Sequence, residues 1–156
     1  MPVDLVLRES EVCAEKILNE LTIGECHVLL GNHHLGRLAF LGRAGVMPMI
    51  IPVNYLFHEK SVVFRTDPGS KLIAALHGAP VAFEVDGADK QQQLGWSVVL
   101  RGFVEEVTDP DERDRLSATP LVAWAPGAKA HYVRLNPRLV RGRRIDMQGL
   151  PSDWFG

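Results

Sequence analysis

The chain has 156 residues, a formal net charge of -2 at pH 7, 46% hydrophobic residues and 23% charged residues. This balance is typical of one folded domain, and it excludes a mainly disordered chain and a strongly charged partner for nucleic acid or an anionic membrane. No apolar run reaches the ~18 residues of a membrane span, and two cysteines cannot form a disulfide framework, so we expect a cytoplasmic protein without nucleic-acid or membrane partners.

The first predicted element is an amphipathic helix in "EVCAEKILNEL" (11–21). Four apolar residues fall largely on one helical face: Val12, Ile17, Leu18 and Leu21. We therefore predict a helical extension over about 8–22, ahead of a barrel over about 35–146, within a single domain spanning 1–156. The stretch between them is rich in glycine and histidine and is predicted to be a loop.

Three strands joined by short turns come next, in "GRLAFL" (36–41), "PMIIPVNYLF" (48–57) and "SVVFRT" (61–66). Pro52 lies inside the second of these strands. Proline cannot donate a hydrogen bond to a ladder, so we expect an edge, a bulge or a stretch that faces a ligand at this point.

The second half of the chain is predicted to hold more strands than helices. Gly102 is expected to bend its strand, and the last strand is expected to break at Asn136 and Pro137. The predicted elements are a helix at 70–77, strands at 80–87 and 96–107, a helix at 109–118 and a strand at 131–145.

Short connections between successive strands predict a mainly β protein with an antiparallel sheet. A single sheet of this size must curl to bury its apolar faces and protect its edges. We therefore expect a six-stranded antiparallel barrel with short α-helices at its rim.

The corner "TDPGSK" (66–71) has the features of an anion site. Ser70 is a good N-cap, so free amides of the first helical turn would point outward beside the ammonium of Lys71. Arg65 and Thr66 end the preceding strand and could add a guanidinium and a hydroxyl. No Walker loop and no GxGxxG occur, so neither a nucleoside triphosphate nor a Rossmann dinucleotide is indicated.

The ordered segments "PMIIPVNYLF", "VVFRTDPGSKL", "PVAFEVD" and "GWSVVLRGFVEEV" resemble the pyridoxamine 5'-phosphate oxidase-like flavoproteins, including actinobacterial members and nitroimidazole-resistance proteins. The resemblance covers about 35–146 and implies the FMN-binding split β-barrel and a homodimer with the flavin site at the subunit interface. It implies that the FMN ring lies against Ile51, Pro52, Val53 and Asn54, that Arg65, Thr66, Ser70 and Lys71 bind its phosphate, and that Trp96 and Ser97 come from the partner.

The resemblance also implies an FMN-dependent oxidoreductase that transfers hydride at flavin N5 to or from a small molecule. The C-terminal "RLNPRLVRGRRI" does not match the arginine and histidine pattern of the vitamin-oxidising enzymes. Some relatives bind a deazaflavin or haem instead, so a non-catalytic flavin, deazaflavin or haem carrier is the alternative. No catalytic residue is assigned, although His131 and Tyr132 could donate a proton.

One further cluster lies in "ECHVLLGNHHLG" (25–36), where four potential ligands occur: Cys26, His27, His33 and His34. Their spacing matches no zinc pattern. We predict no metal site there, and a nucleophilic Cys–His pair is disfavoured because neighbours in a strand point to opposite faces.

Overall fold

The computed structural model describes residues 16–42, 47–67, 72, 76–121 and 130–147. Its two described helices and seven strands are β1 (Lys16–Leu21), α1 (Ile23–Asn32), β2 (Leu35–Leu41), β3 (Pro48–His58), β4 (Ser61–Thr66), β5 (Pro80–Asp89), β6 (Leu94–Glu106), α2 (Pro110–Ser117) and β7 (His131–Met147). The predicted helix over 70–77 lies mostly outside the described residues.

The seven strands form one antiparallel sheet in the order β1-β7-β4-β3-β2-β5-β6, and a further pairing of β6 with β7 closes it. Six strands therefore make a barrel, as predicted, and β1 adds a seventh at its side. Alternation builds the interior, because in β2 Leu38 and Phe40 are buried while Arg37 and Leu41 are exposed. The main core is this row of inward side chains, with Tyr55 among its largest members.

The long strand β7 explains why the barrel is split. On one side it pairs with β6 over nearly its whole length, from Val133 to Ile145. On the other side its first part pairs with β4 and its last part with β1. The helix predicted over 11–21 is therefore wrong for Lys16–Leu21, which supply the missing edge of β7, and the rest of that prediction lies outside the described residues.

The predicted loop after β1 is also wrong, because Ile23–Asn32 forms α1. Thr22 and Glu25 form a capping box, in which the Thr22 amide and hydroxyl donate to Glu25 Oε2 at 2.7 and 2.8 Å. These hydrogen bonds, with Arg144 nearby, lower the pKa of Glu25. The C-terminal part of α1 is fastened to the barrel by the buried Tyr55 hydroxyl, which donates to the Leu30 carbonyl at 2.8 Å.

The helix α2 covers the outside of the barrel over β4 and β7. Asp109 caps it by accepting from the Glu112 amide at 2.8 Å, as the sequence predicted. A second, smaller core lies beneath it, made of Val63, Val107, Leu116, Leu121 and Tyr132. The outer face of this part of the sheet is therefore buried, unlike the outer face of β2 and β3.

Close contacts with neighbouring atoms require glycine at two positions of the barrel. A Cβ on Gly102 would lie 2.0 Å from the Asn136 carbonyl oxygen, where the β6–β7 register shifts beside Pro137. The bend or bulge predicted at Gly102 is found as this register shift between Arg101 and Gly102. The break predicted at Asn136 and Pro137 is wrong, because β7 continues through both residues. A Cβ on Gly36 would lie 2.2 Å from Cζ of Phe83 in the core.

Within the described ranges, no helix has the length and hydropathy needed to cross a membrane.

Candidate flavin-type site on the outer face of the barrel

The predicted ring-binding stretch of β3 has an open side. Residues 48–54 pair with β2, while the pairs between β3 and β4 run only from Tyr55–Phe64 to His58–Ser61. Pro52 pairs with Arg37 of β2, so within the described residues the edge expected at this proline is confirmed. Ile51 and Val53 pack toward the core, whereas the exposed Pro52 lies on the outer face.

The outer face near Pro52 carries exposed apolar side chains beside one arginine. Ile50 of β3 is 69% exposed, and Leu41 of β2, which pairs with Pro48, is 51% exposed. The residue paired with Pro52 is Arg37, whose guanidinium is ion-paired with Glu84 and Asp86 of β5. A flat ring with an apolar face could cover this strip. Asn54 follows at the point where β3 reaches the end of β4, with a half-buried side chain.

The predicted phosphate residues of β4 lie beside this open stretch. Arg65 pairs with Tyr132 of β7, and its guanidinium carbon lies 5.4 Å from the centroid of the Tyr132 ring. Thr66, the next residue, is buried. Its side chain lies on the inward-facing side of β4, as does that of Phe64. The structure thus brings Arg65 and Thr66 to the end of the barrel where a phosphate is expected. Ser70 and Lys71 lie outside the described residues.

The two residues expected from the partner subunit point in opposite directions. Trp96 faces α1, where its ring meets the ring of His33 edge-on with the centroids 4.7 Å apart. Ser97 lies on the outer face, paired with Asp86 of β5 and Arg143 of β7. Alternation along β6 therefore places these two side chains on opposite faces of the sheet.

One residue that the sequence did not single out lies beside the phosphate end. Glu106 Oε1 is hydrogen-bonded to Nδ1 of His131, the residue that pairs with Thr66. This carboxylate orients the imidazole and leaves Nε2 as the second hydrogen-bonding atom. Glu106 lies at the end of β6 and His131 at the start of β7. The two residues meet because β6 pairs with β7 when the barrel closes.

The Cys26–His34 cluster does not form a common site. The Cys26 thiol is buried against β7, and burial raises its pKa. His27 packs on the Phe57 ring, while His33 Nδ1 lies 2.8 Å from the Leu29 carbonyl oxygen. Among the residues that the structure describes, no three His, Cys, Asp or Glu side chains are grouped to hold a metal ion.

Comparison with known proteins places this barrel in a family. A family model described as pyridoxamine 5'-phosphate oxidase matches residues 22–144. The uncharacterized protein Rv0080 of Mycobacterium tuberculosis is 34% identical over 143 residues, which cover 88% of this chain and 91% of that protein. The chain therefore belongs to the pyridoxamine 5'-phosphate oxidase family, which confirms the resemblance seen in its sequence.

Solved structures of similar proteins share the fold over nearly their whole length. The FAD binding protein from Mycobacterium smegmatis has a TM-score of 0.69 and 33% identity, covering 81% of this chain and 98% of that chain. A FAD-binding protein from Mesorhizobium loti has a TM-score of 0.68 and 25% identity, covering 82% of this chain and 98% of that chain. The predicted split β-barrel is thus confirmed.

Proposed function

We propose that this protein binds a flavin nucleotide on the outer face of β3 and acts as a flavin-dependent oxidoreductase on a small molecule. The observation that carries the proposal is that the exposed Ile50 and Pro52 lie on the stretch of β3 without a β4 partner, and that Arg65 follows directly after the last β4 residue paired with β3. An apolar surface and a cation are what the two ends of a flavin nucleotide require. The FAD-binding relatives with the same fold support it.

Each end of the proposed site has a defined task. The backbone of residues 51–54 would lie along the ring, with the side chains of Pro52 and Asn54 on the ring's side of the strand. Arg65, joined by Ser70 and Lys71 from the next segment, would bind phosphate through charge-assisted hydrogen bonds. The side chain of Thr66 is buried on the inward-facing side of β4 and would not share this role with Arg65. Tyr132 holds the Arg65 guanidinium in place.

When bound, the flavin would supply hydride transfer at its N5 atom. The protein would position the ring and exclude water from it. His131, whose Nδ1 is hydrogen-bonded to Glu106, lies beside Thr66 at the phosphate end, so it would handle a proton only for a substrate group that reaches this end. The nitrogen that bears the proton is inferred from this hydrogen bond.

The identity of the flavin is a choice between FMN and FAD. The sequence resemblance implied FMN, whereas the two solved relatives compared above are FAD binding proteins. Both nucleotides share the ring and its first phosphate, so the site described above serves either. We propose FMN or FAD as the cofactor, with a deazaflavin or haem as alternatives that a spectrum distinguishes.

We also propose a homodimer whose interface includes the outer face of β2 and β3. The exposed apolar residues of this face form what we call the outer patch: Leu35, Leu41, Met47 and Ile50. A large exposed apolar patch marks an interaction surface. Ser97 lies two strands away on the same outer side, so a second copy could bring its Ser97 to the flavin.

The second candidate function is a protein that binds and carries flavin without turnover. The two solved relatives support it, since their names describe FAD binding and no reaction. The test is the visible spectrum of the purified protein, with the extracted chromophore identified by mass, followed by anaerobic addition of reduced nicotinamide or reduced deazaflavin. Bleaching of the flavin band supports the enzyme, a flavin that stays oxidised supports the carrier, and a colourless protein that neither FMN nor FAD stabilises contradicts both.

A further inference from the structure

A cavity lies at the opposite end of the barrel from the proposed phosphate site, between α1 and the hairpin that joins β5 to β6. Its volume is about 740 Å³. The start of β6 and the end of β7 border the cavity. The proposed phosphate site is elsewhere, because Thr66 lies at the end of β4 and His131 at the start of β7. The residues of its lining that matter most are Glu25, His33, Asp89, Trp96, Arg144 and Asp146.

One wall of the cavity is a fixed aromatic ring. Gly87, Trp96 and Arg144 form a row of directly paired residues across β5, β6 and β7. A Cβ on Gly87 would lie 2.7 Å from the Trp96 Nε1 atom, so the absence of a side chain there makes room for the indole. The edge-on contact with His33 holds the indole from the side of α1. A rigid aromatic wall favours a planar ligand.

Two residues that line the cavity have hydrogen-bonding groups with unused capacity. His33 Nδ1 is 2.8 Å from the Leu29 carbonyl oxygen and donates to it, which leaves Nε2 as an acceptor. The Nε of Arg144 is buried and has no hydrogen-bond partner within the described part of the chain. Its nearest carboxylate is Glu25, with Oε1 4.0 Å from Nη1, and the other oxygen of Glu25 is engaged by Thr22. A buried donor without an acceptor is costly, so a ligand oxygen or ring nitrogen would stabilise it.

The charges of the lining decide which kind of ligand fits. The described lining contains three carboxylates, from Glu25, Asp89 and Asp146, and one guanidinium, from Arg144. An anionic ligand would meet net repulsion. The carboxylates have acceptor capacity beyond their hydrogen bonds to Thr22, to the hairpin amides and to Asn19, so they favour a ligand with N–H donors.

We propose that this cavity binds an uncharged planar nitrogen heterocycle or aromatic amide, whose edge presents a carbonyl oxygen or ring nitrogen next to an N–H donor. The acceptor takes the Arg144 Nε–H, the donor meets the carboxylates or His33 Nε2, and the ring packs on Trp96. This site is separate from the flavin site proposed above and does not depend on it.

The test uses benzamide, N,N-dimethylbenzamide and benzoate, three probes with one ring and different edges. Each is titrated at millimolar concentration into the purified full chain, and the NMR signal of the Trp96 indole N–H is followed. We expect benzamide to shift this signal saturably and the other two to bind at least about tenfold more weakly, because one lacks the donor and the other is charged. Arg144→Gln and Gly87→Ala should each weaken benzamide binding, whereas Arg141→Gln, on the exposed face of the same strand, should not.

Three results would overturn the proposal. Benzoate as the tightest probe would make the cavity an anion site, and no saturable shift with any probe would deny a site altogether. Release of benzamide by FMN or FAD would make the cavity part of the flavin site. The wild-type titrations decide these points even if a variant fails to fold, and they give their answer whether or not the protein binds flavin.

Discussion

Replacement of Arg65 by alanine tests the phosphate end of the proposed flavin site. In the free protein the change removes a cation–π contact with Tyr132, with the guanidinium carbon 5.4 Å from the ring centroid. Such a contact at a partly exposed position contributes about 0.5–1 kcal/mol to stability. A charge-assisted hydrogen bond to phosphate contributes about 1.5–3 kcal/mol, which corresponds to about a 10-fold to 150-fold rise in Kd. The loss of flavin affinity should therefore exceed the loss of stability.

The assay is a fluorescence titration of the apoprotein with FMN, with FAD and with riboflavin. Riboflavin has the ring but no phosphate, so Arg65→Ala should leave its Kd unchanged while raising the Kd of both nucleotides. Adding Lys71→Ala should weaken nucleotide binding further, because a second cation at the predicted phosphate corner is removed. Arg141→Ala, which removes an exposed arginine of β7, is the matched control.

Two outcomes would contradict this assignment. An unchanged Kd for FMN and FAD in the double variant would show that the phosphate is bound elsewhere. An equal loss of affinity for riboflavin and for the nucleotides would show that Arg65 acts on ring binding or on folding. A urea titration of the variant would distinguish these two effects.

Three further changes test the fold and the proposed interface. Gly36→Ala should lower the free energy of unfolding, measured in urea, by about 1–3 kcal/mol, because its Cβ would enter the core. Gly31→Ala, which has open space around its Cα in α1, should raise the free energy of unfolding by up to about 1 kcal/mol. Equal effects of the two variants would contradict the packing described. Ile50→Asp should convert the proposed dimer to a monomer in light scattering, and Leu18→Asp, exposed on β1, should not; a monomeric wild type would end the dimer proposal. Glu25→Gln should lower the free energy of unfolding by less than about 1 kcal/mol at neutral pH. Because the pKa of this capping carboxylate is lowered in the folded protein, the difference in stability between wild type and variant should vanish as the pH falls below 4.5 and through that lowered pKa. A stability difference that persists in acid would contradict the capping role of the carboxylate.

The barrel strands were predictable because their pattern is local. Turn residues bound each strand from β2 to β6, and the alternation of buried and exposed positions follows directly from the order of residues, as Leu38 and Phe40 show. The start of α1 was also present in the sequence, since Thr22 and Glu25 have the spacing of a capping box, but the histidines and glycines around it were interpreted as a loop.

The tertiary structure decided the points at which local patterns are ambiguous. Ile17, Leu18 and Leu21 suit one face of a helix, yet the segment is a strand because the end of β7 offers unpaired backbone groups that β4 does not reach. The direction of Trp96 and the pairing of Glu106 with His131 depend on how the barrel closes, which places residues distant in sequence on one side of a strand. Turn residues and alternation thus determined the strands, and the resemblance of four ordered segments indicated the family. The cavity and the inner and outer faces of each strand follow from closure, because only a closed barrel distinguishes inside from outside.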